Sequence, residues 1–438
     1  MPSLTQPIAS LPAEPSISAD RRLMERRKAL LGPVYRAFYS EPVHLVSGSG
    51  VWLRDAHGNT FLDAYNNVPS VGHCHPHVVA ALATQAAKLN THTRYLSEVV
   101  LDYVEKLLRT CPSALKHAMF TCTGSEANDL ALRIAQHASG GTGVVITKFA
   151  YHGATIATSQ LSPGDGGASI VAPHDRTVDA PDTYRNGGNG ADDFAESVRR
   201  AIDSMTENGI KPAALLIDSA FSSDGIFFPK PQVMQKAAAY VKAAGAVLIA
   251  DEVQAGFGRF GNAMWGFQHY GLEPDIVTLG KPMGAGHPIG GLIVTPEVIG
   301  SFAARSGYFN TFGGNPVAAA VGIAVLEVIE SESLMDNART VGAYLGSRLR
   351  QLQHRHPIIG DVRNCGLYFG VEFSDESQTG QSLASATVAF VNEMRRRGVL
   401  ISSCGPEGNI LKIRPPLPFS QANADQLVET MDGILSRR

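Results

Sequence analysis

Cysteine is scarce in this sequence, with five residues in 438, and no two of them form a C-x-x-C pair. They are scattered along the chain at Cys74, Cys111, Cys122, Cys365 and Cys404. An odd number of distant cysteines fits neither the disulfide framework of a small secreted protein nor the ligand spacing of a zinc ribbon. We therefore predict five reduced thiols that lie in or near a hydrophobic core.

Excess charge of one sign and long apolar runs are also missing. The formal net charge of −3 gives no electrostatic reason to expect a nucleic acid or an anionic membrane as partner. Apolar runs such as Ala246–Ala250 are far shorter than the roughly 20 residues that cross a bilayer. Residues 1–20 have neither the basic start nor the apolar stretch of a signal peptide. These absences predict a cytoplasmic protein without nucleic-acid or membrane partners.

The sequence does contain many glycines and a regular alternation of strand-like and helix-like segments. Short apolar segments bounded by glycine, proline or polar residues are typical of buried parallel strands. Such segments are Ala118–Thr121, Gly143–Thr147, Ala213–Asp218, Ala246–Asp251, Asp275–Leu279 and Gly291–Thr295. Amphipathic helices separate them, and this order predicts a doubly wound α/β domain.

Changes in pattern divide the chain into four segments. Residues 1–40 are expected to be a leader, partly disordered or with an N-terminal helix. Residues 41–75 begin the smaller domain, with two short strands around the turn His57-Gly58-Asn59. Residues 76–316 form the large domain, and residues 317–438 form the rest of the smaller one. We predict an α/β fold, with a mainly parallel sheet flanked by helices in the large domain and an α+β arrangement in the smaller domain.

The segment Thr123–Asn128 (TGSEAN) lies between a predicted strand and a clear amphipathic helix. Gly124 allows close approach of the backbone, and Ser125 is placed to cap the helix. Free N–H groups and the positive end of the helix dipole make such a helix start a seat for a phosphate. Taken alone, the segment also fits an ordinary capped helix.

Two predicted strands end in chemically useful residues at the same edge of the sheet. AVLIAD ends in Asp251, which Glu252 follows, and DIVTLGK ends in Lys281. Proteins of the α/β class bind ligands at the carboxyl ends of parallel strands, and a lysine among apolar residues can serve there as a Schiff-base amine. Since an isolated lysine is usually a solvated surface group, this interpretation depends on the combination of phosphate seat, acid and amine.

Two other patterns are rejected. Gly256-x-Gly258-x-x-Gly261 matches the dinucleotide fingerprint in letters, but no helix opens there and no βαβ unit surrounds it. His73–His77 (HCHPH) has no usual zinc spacing, and Pro76 prevents a helical i, i+4 pair of ligands. We predict a turn that leads into a helix at this place, and no metal site.

Further segments, taken in order, resemble the class III aminotransferases, which are pyridoxal 5′-phosphate (PLP) enzymes of fold type I. The resemblance extends from about Glu41 to the C-terminus. The matching motifs are Gly124–Asn128 (GSEAN), Tyr151–Gly153 (YHG), Asp251–Gln254 (DEVQ), Gly256–Arg259 (GFGR), Gly280-Lys281, Asn310–Pro316 (NTFGGNP) and Pro415–Leu417 (PPL). The resemblance implies PLP as cofactor and a homodimer with both active sites at the interface.

The resemblance also assigns roles to matching residues. It implies a catalytic set of Lys281, which carries PLP as a Schiff base, Asp251, which pairs with the pyridine nitrogen, and Tyr151. The implied cofactor contacts are Gly124 and Ser125 at the phosphate, Val253 and Tyr151 on the two ring faces, His152 beside Tyr151, Gln254 at the ring hydroxyl, and Thr311 from the neighbouring subunit. In this arrangement the protein orients the cofactor, and the cofactor supplies the carbanion chemistry.

Four segments resemble, more narrowly, the ethanolamine-phosphate phospho-lyase branch of that family. They are Tyr65–His77, Asn90–Leu96, Gly286–Pro288 and Gly405–Pro416. This narrower resemblance implies that O-phosphoethanolamine is converted to acetaldehyde, ammonia and phosphate. A close relative in the branch acts on phosphohydroxylysine instead.

The residue types near the C-terminus give a chemical reason for a phosphorylated substrate. Many aminotransferases of the class bind a substrate carboxylate with an arginine a few residues before the Pro-Pro-Leu motif, where this sequence has Lys412. Arginine binds planar carboxylates with two parallel hydrogen bonds, whereas lysine is a point charge that also suits a phosphate. Lys412, Arg94 and Arg414 are our candidates for the substrate phosphate, with ordinary salt bridges as the alternative for each.

Two other functions stay open at this point. The main alternative to the lyase is an ω-aminotransferase that moves an amino group from an amine to pyruvate or 2-oxoglutarate. A non-catalytic PLP-binding protein is a third possibility, against which the complete set Lys281, Asp251, Tyr151 and Thr311 speaks. The preferred hypothesis is β-elimination of phosphate from a small phosphorylated amine.

Overall fold

The structure of the protein is a computed structural model that describes residues 19–164, 170–374 and 382–437. Its helices in these ranges are α1 (Ala19–Leu31), α2 (Pro76–Lys88), α3 (Glu98–Leu108), α4 (Gly124–Ser139), α5 (Ile156–Gln160), α6 (Asn189–Glu207), α7 (Pro231–Ala243), α8 (Gly266–His269), α9 (Pro296–Ala303), α10 (Pro316–Ser331), α11 (Leu334–Arg355), α12 (Leu383–Arg396) and α13 (Gln421–Leu435). The strands are β1 (Leu45–Ser49), β2 (Trp52–Asp55), β3 (Thr60–Asp63), β4 (His117–Thr121), β5 (Gly143–Thr147), β6 (Arg176–Val178), β7 (Pro212–Asp218), β8 (Val247–Asp251), β9 (Ile276–Leu279), β10 (Gly290–Val294), β11 (Ile359–Cys365), β12 (Tyr368–Phe373), β13 (Val399–Leu400), β14 (Ser402–Cys404) and β15 (Ile410–Ile413).

A seven-stranded sheet forms the centre of the large domain, in the order β4-β10-β9-β8-β7-β5-β6. The run from β9 to β6 is parallel throughout. Alternate residues of a strand pack on opposite faces: in β8, Val247 and Ile249 join a cluster with helix α4, whereas Leu248 and Ala250 join the cluster on the other side. Because both faces are covered, the strands are apolar along their whole length. The predicted α/β fold is confirmed.

The prediction that Gly291–Thr295 is a parallel strand is wrong. The strand is present as β10, but it runs antiparallel to both of its neighbours, β4 and β9. The chain between β9 and β10 holds a short 3₁₀ turn, Lys281–Gly284, and no crossover helix. A parallel connection needs a dozen or more residues, so this short link reverses the chain direction.

Two four-stranded sheets lie outside the central sheet, in the orders β1-β2-β3-β13 and β11-β12-β15-β14. The predicted hairpin around His57–Asn59 is confirmed, because β2 and β3 pair in antiparallel register. The parallel pairing of β3 with β13 joins a strand from the N-terminal part to a strand from the C-terminal part. The segment boundaries after residues 40, 75 and 316 stay a prediction.

The segment His73–His77 makes a turn into helix α2, as predicted, with Pro76 as the first helical residue. All five cysteines are free thiols, but Cys74 is exposed rather than close to the core, because it lies in that turn with a left-handed backbone (φ 51°). Within the described ranges no helix is long and apolar enough to cross a bilayer.

Candidate active site

Helix α4 begins next to the carboxyl end of the central sheet, and its cap differs from the prediction. Thr123, not Ser125, is the N-cap: its backbone is extended, and its Oγ1 accepts a hydrogen bond of 3.2 Å from the N–H of Glu126. Ser125 already lies inside the first turn, where its Oγ accepts a hydrogen bond of 3.1 Å from the N–H of Ala154. The cap therefore falls at the last extended residue before the helix, as capping geometry requires.

The first N–H groups of α4 provide the expected phosphate seat. The N–H groups of Gly124 and Ser125 have no acceptor among the described residues, which is the normal state of the first turn of a helix. A Cβ atom added to Gly124 would lie 2.8 Å from Cγ2 of Val253, so only glycine allows this approach. Two unpaired donors and the positive helix end thus face the same cavity.

A cavity of 320 Å³ brings most of the predicted cofactor residues together. Gly124, Ser125, Tyr151, His152, Asp251, Val253, Gln254 and Lys281 all line it. Asn128, Asp218 and His287 also line the cavity, and sequence reasoning assigned a role to none of these three. Asp218 ends β7 as Asp251 ends β8, and the two pair in register, so the strand-end rule that found Asp251 also applies to Asp218.

Asp251 is buried at the end of β8 and accepts three hydrogen bonds. Nδ2 of Asn128 donates to its Oδ2 at 2.9 Å, and Nδ1 of His152 lies 2.8 Å from the same oxygen. The N–H of Val253 donates to Oδ1 at 3.0 Å. Donated hydrogen bonds stabilise a carboxylate, so these contacts supply the environment that a buried negative charge needs.

Lys281 follows β9 and opens the 3₁₀ turn after it. Burial lowers the pKa of its amine, and the positive charge of Arg414 lowers the pKa further, against the opposing charges of Asp251 and Asp218. A Cβ on the preceding residue, Gly280, would lie 3.0 Å from Val253, which shows how closely the ends of the two strands approach. A larger neutral fraction makes this amine a better nucleophile and base.

Two of the predicted substrate residues lie behind the cavity wall. Lys412 is a buried residue of β15, and its Nζ donates a hydrogen bond of 2.8 Å to the carbonyl oxygen of Ser222. Burial lowers the pKa of Lys412 to about 7, and the charge of Arg414 adds to this effect. The guanidinium of Arg414 donates to Oε1 of Gln254, a lining residue, and lies 4.7 Å from the ring centroid of Tyr65.

Arg94, the third predicted substrate residue, and Thr311, a predicted cofactor contact, do not line the cavity of their own chain. Thr311 is exposed. Arg94 is also exposed, and its guanidinium carbon lies 3.9 Å from the ring centroid of Phe309, two residues before Thr311. Arg94 and Thr311 therefore occupy one exposed patch of the subunit surface, and the dimer that would use them stays a prediction.

The cavity residues fit PLP. The unpaired N–H groups of Gly124 and Ser125 suit its phosphate, the acceptor Asp251 suits a protonated ring nitrogen, and the amine of Lys281 suits its aldehyde. This combination on a doubly wound sheet defines an α/β enzyme built around such a cofactor. Residues 36–435 match the family model of the class III aminotransferases, and the chain belongs to this PLP-dependent family.

The relatives include both lyases and aminotransferases. A phospholyase from Arthrobacter, solved in complex with phosphoethanolamine, is 41% identical with a TM-score of 0.91, over 95% of this chain and all of that one. The ethanolamine-phosphate phospho-lyase homolog 1 of Caenorhabditis elegans is 34% identical, over 97% of this chain and 95% of that protein. The mitochondrial alanine–glyoxylate aminotransferase 2 homolog 2 of Arabidopsis thaliana is 38% identical, over 95% of this chain and 87% of that protein.

Proposed function

We propose that this protein is a PLP-dependent phospho-lyase that eliminates phosphate from O-phosphoethanolamine to give acetaldehyde, ammonia and phosphate. The observation that carries the proposal is the 41% identity and TM-score of 0.91 to a phospholyase that binds phosphoethanolamine, over 95% of the chain. The lysine at position 412 supports it, because a lysine is a point charge that also suits a phosphate, whereas many aminotransferases of the class have a carboxylate-binding arginine in this region.

The chain's own residues then have distinct tasks. When bound, PLP supplies an electron-accepting ring in conjugation with the substrate nitrogen. Asp251 would accept a hydrogen bond from the ring nitrogen and so favour its protonated form. Because Oε1 of Gln254 accepts from Arg414, its NH₂ group would be the donor to the ring hydroxyl. Val253 and Tyr151, which line the cavity, would pack on the two faces of the ring, and His152 supports Asp251.

Lys281 moves the proton in this proposal. Its amine, with a pKa lowered by burial, accepts the proton from the carbon that bears the substrate nitrogen. The neighbouring C–O bond then breaks, and its electron pair leaves with phosphate. Addition of water to the remaining two-carbon unit releases acetaldehyde and ammonia, so no oxo acid is consumed.

Lys412 is proposed to recognise the substrate phosphate. Its side chain is buried, and its Nζ donates to the carbonyl oxygen of Ser222 rather than to a carboxylate. An arriving phosphate would supply the missing negative charge and raise the pKa of Lys412 from about 7. Since Lys412 lies behind the wall, binding includes a small shift of the segment around Ser222, the present hydrogen-bond partner of Nζ.

Replacing Lys412 with methionine is expected to stabilise the protein while it weakens catalysis. Burial of the charge costs stability below pH 7, and this cost disappears as pH rises toward the unfolded pKa of 10.5. We expect the unfolding free energy to increase by about 1–3 kcal/mol at pH 7 and by less at pH 10. The kcat/KM for phosphoethanolamine should fall about 100-fold, as for loss of a buried charge pair.

Urea titrations at the two pH values and initial rates test this expectation. Lys116→Met, at an exposed lysine, is the control and should change neither quantity. Unchanged affinity for phosphoethanolamine in Lys412→Met would remove Lys412 from the phosphate site.

Arg94 and Thr311 share one exposed patch. In the proposed homodimer, this patch of one subunit lies at the active site of the other. A mixture of two inactive variants tests this arrangement. Mixed dimers of Lys281→Ala and Arg94→Ala/Thr311→Ala contain one intact site each, so an equal mixture should recover about a quarter of wild-type activity after random exchange. No recovery after subunit exchange would show that each chain completes its own site.

An ω-aminotransferase is the second candidate, favoured by the 38% identity to the Arabidopsis aminotransferase homolog. Product analysis separates the two reactions. The lyase forms acetaldehyde from phosphoethanolamine without any oxo acid, whereas the aminotransferase needs pyruvate, glyoxylate or 2-oxoglutarate for more than one turnover. Conversion of phosphoethanolamine to an aldehyde that retains its phosphate, dependent on an added oxo acid, would exclude the proposed lyase reaction.

A further inference from the structure

Asn128 lies in helix α4, one turn beyond the phosphate seat, and its side chain is buried. Its amide makes three hydrogen bonds. Nδ2 donates to Oδ2 of Asp251 at 2.9 Å and to the carbonyl oxygen of His152 at 2.8 Å. Oδ1 accepts a hydrogen bond of 2.6 Å from Oγ1 of Thr278. Both N–H groups of the amide are therefore directed at acceptors that belong to the cofactor side of the cavity.

The two acceptors fix which way this amide faces, and the hydroxyl of Thr278 anchors it by donating to its oxygen. If the amide were flipped, its oxygen would face two acceptors, the Asp251 carboxylate and the His152 carbonyl. Thr278 is fully buried on β9, directly opposite Asp251 in the sheet and three residues before Lys281. The three elements that carry the phosphate seat, the acid and the amine are thus joined by one chain of hydrogen bonds.

The two oxygens of Asp251 have unequal numbers of hydrogen-bond partners. Oδ2 takes both side-chain contacts, from Asn128 and His152, whereas Oδ1 takes the backbone N–H of Val253. A carboxylate held at Oδ2 from two sides cannot rotate without breaking buried hydrogen bonds, each costly to leave unmade. Oδ1 keeps the greater remaining capacity to accept a hydrogen bond.

We propose that Asn128, anchored by Thr278, is a positioning residue that holds the Asp251 carboxylate by Oδ2 and leaves Oδ1 to accept from the cofactor ring nitrogen. The inference rests on the proposed role of Asp251, and it does not depend on whether the reaction is elimination or transamination. Neither Asn128 nor Thr278 touches the reacting atoms in this account. Their effect is transmitted through the geometry of Asp251, as supporting hydrogen bonds orient groups in other cofactor sites.

Thr278→Val tests the proposal with little change of side-chain shape. We expect kcat with phosphoethanolamine to fall about 10–100-fold, the range seen when the hydrogen bonds that orient metal ligands are removed. KM should stay within about twofold of wild type. The visible absorbance maximum of the PLP-loaded protein should shift, because the Asp251 carboxylate would be less well aligned with the ring nitrogen. Thr278→Ser keeps the hydroxyl and should restore both quantities.

A PLP analogue with carbon in place of the ring nitrogen separates positioning from folding. In protein loaded with this analogue, Thr278→Val and wild type should give the same absorbance spectrum, because the analogue has no nitrogen to align. A residue that only stabilised the fold would lower the melting temperature of the apoprotein and leave the PLP absorbance unchanged, and that result would overturn the proposal. An equal spectral change with PLP and with the analogue would also overturn it.

The absorbance readout keeps this proposal separate from the proposed reaction. If wild type released no phosphate but Thr278→Val still shifted the PLP absorbance, the positioning role would stand and the phospho-lyase proposal would fail. The converse result, phosphate release with no effect of Thr278→Val, would reject the positioning role alone.

Discussion

Lys281→Ala is expected to abolish turnover of phosphoethanolamine, with a loss of at least about 10⁴-fold in kcat, because the substitution removes both the proposed attachment point of PLP and the proposed base. Burial lowers the pKa of this amine, which increases the fraction of the neutral form that can accept a proton. An alanine leaves the cavity without an amine, since Lys281 is its only lysine or arginine among the described lining residues.

Phosphate release and the visible absorbance of desalted, PLP-loaded protein measure this loss. Lys88→Ala, at the exposed end of helix α2, is the matched control and should retain wild-type turnover. If Lys281→Ala kept more than a few per cent of the rate, another group would be the base and the account of the cavity would be wrong.

Asp251→Asn is the second substitution with a large expected effect. It removes the negative charge proposed to face the ring nitrogen, and it places an NH₂ group among three donors from Asn128, His152 and Val253. We expect kcat to fall about 10³-fold, which is the loss typical of removing one preorganised electrostatic contact. The affinity for PLP should fall as well.

Rates at saturating PLP separate the two effects. Asp224→Asn is the matched control: Asp224 is also a buried aspartate of the large domain, and burial raises its pKa to about 7, but it does not line the cavity. It should affect kcat far less than Asp251→Asn does. Equal losses in both variants would show that burial of a charge, and not contact with the ring, explains the result.

The sequence was most informative where strand ends carry chemistry. Asp251 and Lys281 were predicted at one edge of the sheet because each closes an apolar strand, and both line the same cavity. Strand position followed from short apolar segments, but strand direction did not: β10 looks like its parallel neighbours, and only the short link after Lys281 reverses it. Direction depends on the connection, which a pattern within the strand does not contain.

Other features depended on contacts between distant parts of the chain. The link from Thr278 to Asn128 spans 150 residues, and neither residue type is unusual in its own segment. Ser125 was predicted as the cap because serine favours caps, yet Thr123 is the extended residue that fulfils the role. Lys412 was predicted from a comparison of residue types, and its place behind the cavity wall follows from the pairing of β15 with β12 and β14.

The amount of phosphate released per active site from O-phosphoethanolamine, by purified, PLP-loaded protein without any oxo acid, distinguishes elimination from transamination. We expect many phosphates per Lys281, with acetaldehyde and ammonia formed in equal amounts. Release of no phosphate, together with conversion of the bound cofactor to its amine form in a single turnover, would contradict the phospho-lyase proposal and place the protein among the aminotransferases of the family.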